Sequence, residues 1–149
     1  MAALKDQITE AMKAAMKARD KPRLGVLRLI LSECKRIEVD ERIELSDERV
    51  LAILDKMTKQ RRDSAKQYRD AGREELAEQE DYEISVIDEF LPEALSDDEL
   101  AAIVDQAIAD TGAEGPRDMG KVMGLVKPQI QGRADMGAAS QMVKQKLSR

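Results

Sequence analysis

From Leu4 to Leu147 the apolar residues return every three or four positions, and no stretch alternates apolar and polar as a half-buried strand does. This recurrence predicts an all-α chain. The first helix is expected from about Ala2 to Ala18, on Leu4, Ile8, Met12 and Ala15/Met16. A second follows on Leu24, Leu27, Ile30/Leu31, Cys34 and Ile37, and a third on Val50, Ile53/Leu54, Met57, Arg61, Ala65 and Tyr68. The fourth carries Leu76, Ile84, Ile87 and Phe90/Leu91, and the fifth Leu100, Ile103/Val104 and Ala107/Ile108. Met119, Val122/Met123 and Val126 mark a short sixth, and Ala139, Met142/Val143 and Leu147 a seventh. Aromatics make up only 2% of the residues, so the core must be built from aliphatic side chains and methionine, a mixture that favours helices on propensity alone.

Breaks between the stripes carry their own chemistry. Pro22 suits the first turn of the second helix, Ser46 can cap the third with Asp47 and Glu48 behind it, and Ala71-Gly72 is a plausible stop. The fourth helix is expected to end before Pro92. Ser96 and Glu99 have the spacing of a capping box, Gly112 stops the fifth helix, and Asp118 and Asp135 can cap the sixth and seventh. Pro128 is expected to interrupt the sixth helix and Gly132 to close it. These signals predict a four-helix N-terminal domain over residues 1–91, a linker over 92–95, and a compact three-helix C-terminal domain over 96–149. The second is small for a lone hydrophobic core.

Several function classes lose ground at once. The chain has no histidine, which removes the commonest general base and metal ligand, and its one cysteine, Cys34, lies on an apolar stripe and reads as a small core residue. Asp97, Asp98 and Glu99 are explained by first-turn capping rather than by a metal. No phosphate-binding loop, dinucleotide glycine pattern or zinc spacing occurs, so no catalytic residue, metal or cofactor is assigned. No apolar run approaches the roughly 20 residues of a membrane span, and the acidic residues Asp6, Glu10 and Asp20 argue against a transit peptide. A cytoplasmic location without membrane association is the expectation, and the oligomeric state has no sequence signal.

The net charge of −5 is unevenly placed. Residues 1–73 sum to +5, residues 74–116 hold 15 acidic and no basic side chains, and residues 117–149 return to +5. Two basic segments stand out. Lys59, Arg61, Arg62, Lys66, Arg69 and Arg73 share one helix; they form either a solvated face held by i,i+4 pairs such as Lys59–Asp63 and Lys66–Asp70, or an anion-facing surface. In the tail, Gly120 and Gly124 lie one helical turn apart beside Lys121, with Gly132-Arg133 further on. Such glycines permit either close helix packing or close approach of a phosphate backbone to Lys121 and Arg133.

The chain resembles the YqeY family. The resemblance is carried by Met12–Lys21, Leu27–Ser32, Glu38-Val39-Asp40, Lys59–Ser64, Ala71-Gly72-Arg73, Phe90-Leu91-Pro92, Asp118–Met123 and Gly132–Asp135. Its C-terminal part is similar to the tail domain of the B subunit of tRNA-dependent amidotransferases, which implies tRNA binding with the catalytic sites on other domains. The resemblance implies Lys121 and Arg133 as RNA contacts, with Gly120, Gly124 and Gly132 allowing approach. The leading expectation is a non-catalytic accessory protein that binds folded RNA through a basic C-terminal domain. An alternative is an adaptor docking an amidotransferase or synthetase subunit, and a third reading is a carbon–nitrogen ligase using glutamine as amide donor.

Overall fold

The computed structural model describes residues 3–148, which form seven α-helices and no strand. They are α1 (Ala3–Lys17), α2 (Lys21–Glu41), α3 (Asp47–Asp70), α4 (Glu74–Asp88), α5 (Asp97–Thr111), α6 (Met119–Ile130) and α7 (Met136–Leu147). A single 3₁₀ turn, Pro116–Asp118, leads into α6. The expected start at Ala2 lies outside the described residues.

Most helix starts follow from side chains that satisfy free backbone N–H groups. Asp20 accepts from the Arg23 N–H at 3.3 Å, with Pro22 in the first turn of α2. Ser46 accepts from the Arg49 N–H at 3.3 Å, and Asp135 from the Ala138 N–H at 3.1 Å. Ser96 and Glu99 close a reciprocal capping box before α5. Gly112 ends α5 at φ 66°, a conformation that costs a glycine little.

Three expectations need correction. Asp118 makes no side-chain cap on α6; its carboxylate instead accepts the Glu114 N–H at 3.0 Å, tying down the preceding loop. Pro128 does not interrupt α6, which runs through it to Ile130. Proline has no N–H for the carbonyl one turn earlier, and here that carbonyl belongs to Gly124, on the face exposed to water, where solvent takes the place of the missing donor. Finally, α4 ends before Pro92 as expected, but it stops at Asp88, so Phe90 and Leu91 lie beyond the helix in tight turns, with the N–H groups of Glu89, Phe90 and Leu91 each bonding three residues back.

The chain divides into two compact units, the first ending at Leu91 and the second beginning at Pro92. In the first, α1–α4 surround Ile8, Leu27, Ile30, Cys34, Leu45, Val50, Leu54 and Ile87. Burying each large aliphatic contributes about 1.5–3 kcal/mol. The buried Thr58 hydroxyl donates to the Leu54 carbonyl at 2.9 Å, so it brings no unsatisfied group into this core. In the second unit α5–α7 enclose Val104, Val122, Val126, Ile130, Ala139 and Val143. Leu95 packs against this second core and donates its N–H to the Arg133 carbonyl at 2.8 Å.

Candidate functional site

Helix α6 buries Val122, Met123, Val126 and Ile130, which lie on one side of the helical wheel. The opposite side is Gly120, Lys121, Gly124, Leu125 and Pro128, all exposed. A Cβ added at Gly120 or at Gly124 would meet nothing within 4 Å. Neither glycine is therefore there for packing between helices of this chain, the first of the two readings of this pair. Each opens a strip of bare backbone to solvent, and Pro128 leaves the Gly124 carbonyl without its usual helical donor.

The loop before α6 opens a cleft of about 550 Å³ lined by Glu114, Gly115, Pro116, Arg117 and Asp118. Asp118 is held below the usual aspartate range, first by the Glu114 N–H and then by the charge of Lys121. Arg117 and Lys121 are exposed cations at this end of the unit, and Lys127 is exposed in the last turn of α6. Arg117 and Lys127 were not singled out in the sequence, although Lys127 falls outside the buried stripe and was readable on that ground.

Arg133 stands apart from this group. Its Nε donates to the Glu93 carbonyl at 3.1 Å while its own carbonyl takes the Leu95 N–H, so the residue fastens the entry segment of the unit to the turn after α6. Gly132, at φ 76°, is required by that turn, where a side chain would strain the backbone. Nor is the unit basic as a whole: from residue 92 on it holds seven Lys/Arg against nine Asp/Glu. The acids lie mostly before residue 116, and Lys146 is paired with Asp105 at 2.8 Å.

Two of the six basic side chains from Lys59 to Arg73, Arg61 and Arg69, are committed within their unit. Arg61 pairs with Glu83 of α4 at 3.1 Å, with only 15% of either side chain exposed, and also donates to the Met57 carbonyl. Arg69 binds Glu74 at 3.2 Å and also Asp81. The expected pairs Lys59–Asp63 and Lys66–Asp70 are not among the ion pairs of the described residues; those that Arg61 and Arg69 make run across to α4 instead. Lys59, Arg62 and Lys66 remain exposed on α3, as does Arg73, which does not share that helix as expected but lies beyond its end at the cap of α4. Cys34 is buried, and desolvation pushes its thiol up to about 11, far from a reactive thiolate. No group of metal-binding side chains and no helix long and apolar enough to cross a membrane occurs among the described residues.

A family model described as Yqey-like protein matches residues 5–147 and so runs through both units. The chain is 30% identical over 125 residues to "Altered inheritance of mitochondria protein 41, mitochondrial" of Pyrenophora tritici-repentis, covering 83% of this chain and 68% of that protein. It is 35% identical over 82 residues to an uncharacterized protein of Schizosaccharomyces pombe, covering 55% of this chain and 67% of the relative.

Proposed function

Because the chain belongs to the Yqey-like family, we propose that it acts by binding folded RNA, tRNA or a tRNA-like shape, through the outer face of α6 and the loop before it. The observation that carries this reading is Gly124. A helix-interior glycine is about 1 kcal/mol worse than alanine, and no neighbour in the chain requires it. A bare helix surface beside Lys121 suits a phosphate backbone that comes within contact of the main chain. The resemblance of this part to the amidotransferase tail domain supports the same reading.

The site limits the kind of RNA and the strength of binding. All three aromatic residues, Tyr68, Tyr82 and Phe90, precede Pro92, so the second unit offers no platform for stacking single-stranded bases. Recognition then falls to phosphates and shape. With Arg117, Lys121 and Lys127 as the cations and an acid-rich α5 in the same unit, binding involves about three phosphates. The slope of log K against log salt is then about −2 to −3. Arg133 contributes by holding the unit together rather than by reaching for phosphate.

The test is fluorescence anisotropy of the full chain with total tRNA across a salt series. Lys121→Glu/Lys127→Glu is expected to weaken binding at least roughly tenfold with unchanged circular dichroism. Wild-type protein that fails to bind tRNA at low salt overturns the proposal. The protein supplies no chemistry on this reading, so glutamine, ATP and misacylated tRNA are expected to yield no glutamate with it alone.

A further inference from the structure

The outer face of α2 is organised in a way that the RNA reading does not use. Every seventh residue along it is basic: Lys21, Arg28 and Lys35, with Arg42 at the cap. Seven residues are two helical turns, so these cations form a column with a spacing of about 10.5 Å. All four are exposed, and none makes an ion pair among the described residues. Beside the column runs a seam at alternating four- and three-residue intervals, Gly25, Leu29, Ser32, Arg36 and Val39, all exposed. Leu29 is 49% and Val39 61% exposed, the largest values among the exposed large hydrophobics of the described residues. A Cβ at Gly25 would meet nothing within 4 Å.

On the far side of the seam lie Glu33 and Asp40, both bound to Arg36. The face thus has a basic edge, a thin aliphatic seam and an acidic edge. A phosphate backbone would meet both edges with negative charge and would leave Leu29 and Val39 unrewarded; a membrane of anionic lipid would take up the two aliphatics but press Glu33 and Asp40 against like charge. An amphipathic helix has the matching form: apolar residues at heptad spacing between two edges of different charge.

We propose that α2 docks an amphipathic helix of a partner protein, whose acidic edge lies along Lys21, Arg28 and Lys35 and whose apolar stripe covers Leu29 and Val39. The seam is short and half polar, so the contact is a modest, exchangeable one in which charge selects the partner. The site is separate from the α6 face, and either can fail without the other.

The probe is a synthetic helix with leucine at its seam, glutamate along one edge and lysine along the other, used below its own association concentration. A control peptide carries lysine along both edges. The full-length protein is expected to bind the mixed-edge peptide at least roughly tenfold tighter than the control. Arg28→Glu/Lys35→Glu should invert that preference, and Val39→Asp should weaken both complexes. Because these side chains are exposed, circular dichroism and tRNA binding should be unchanged in the variants. Equal binding of the two peptides, or none, overturns the proposal. So does a loss of tRNA or anionic-vesicle binding in Arg28→Glu/Lys35→Glu, which would make the face a general anion surface.

Discussion

The two units handle charge in opposite ways. In the first, basic and acidic side chains bind across helices: Lys5 with Glu38, Arg23 with Glu89 through two hydrogen bonds, Arg49 with Glu41, Arg61 with Glu83, and Arg69 with Glu74 and Asp81. In the second, Lys146–Asp105 is the one ion pair among the described residues. Its order comes from caps and turn hydrogen bonds, and Arg117, Lys121 and Lys127 stay exposed. Segment sums of +5 at both ends of the chain therefore describe different things. In the first unit much of the charge braces α3 against α4, and the cations left over stand on the outer faces of α2 and α3. The small second unit keeps its cations available while its aliphatic core carries the stability.

If that contrast is right, core damage should cost the second unit most. Ile130→Ala removes a fully buried side chain and is expected to cost about 2–5 kcal/mol. Hydrogen exchange should then rise most across α5–α7; an unchanged exchange pattern would break the contrast. Arg61→Ala tests the brace in the first unit. It leaves the largely enclosed Glu83 beside Glu80, whose carboxyl is already pushed up by burial and by the Glu83 charge. The expected cost is about 2 kcal/mol, below the ~3–5 kcal/mol of a fully buried pair, and it should shrink in acid as the Glu80 carboxyl takes up its proton and the like-charge repulsion left by Arg61 falls away. Chemical denaturation at pH 7 and near pH 4 checks both points.

Gly124→Ala should act in two directions. With open space at its Cβ, alanine is expected to stabilise the free protein by about 0.5–1 kcal/mol, seen as a raised Tm, while weakening tRNA binding. A gain in stability with no loss of binding would detach the glycine from function. The smallest effects concern acid titration. Arg36 holds Glu33 low, Lys5 holds Glu38, Arg49 holds Glu41 and Arg69 holds Asp81, all in the first unit. In the second unit, backbone N–H groups hold Glu99 and Asp118 low. A carboxylate whose folded pKa is depressed adds stability above its unfolded pKa and loses it as pH falls through the folded value. Both units should weaken below the ordinary carboxylate range. High salt at neutral pH should weaken mainly the first, since caps are local and less screened.

The helices were readable because a helix is a local object. The buried stripes, the caps at Ser46, Ser96 and Asp135, and the stop at Gly112 depend on residues within about four positions of each other. Where two local partners competed, reading failed: the Asp118 carboxylate faced two sets of N–H groups and took the loop rather than the helix. Gly124 and Pro128 each weaken a helix alone, yet on an exposed face one turn apart they coexist. The outward position of Gly120 and Gly124, opposite Val122, Met123 and Val126, was also present in the helical periodicity, although the glycine pair alone suited packing equally well.

What the sequence by itself determined is the all-α class, the order of the helices and the family, because periodicity, capping and motif are properties of short or aligned stretches. Only the tertiary structure decided which charges are free. Arg61 meets Glu83 across 22 residues and Arg133 meets Glu93 across 40, and no spacing in the chain announces either contact. A cation can reach an outside anion only where folding has not already brought it a partner, and that outcome rests on which helices pack together.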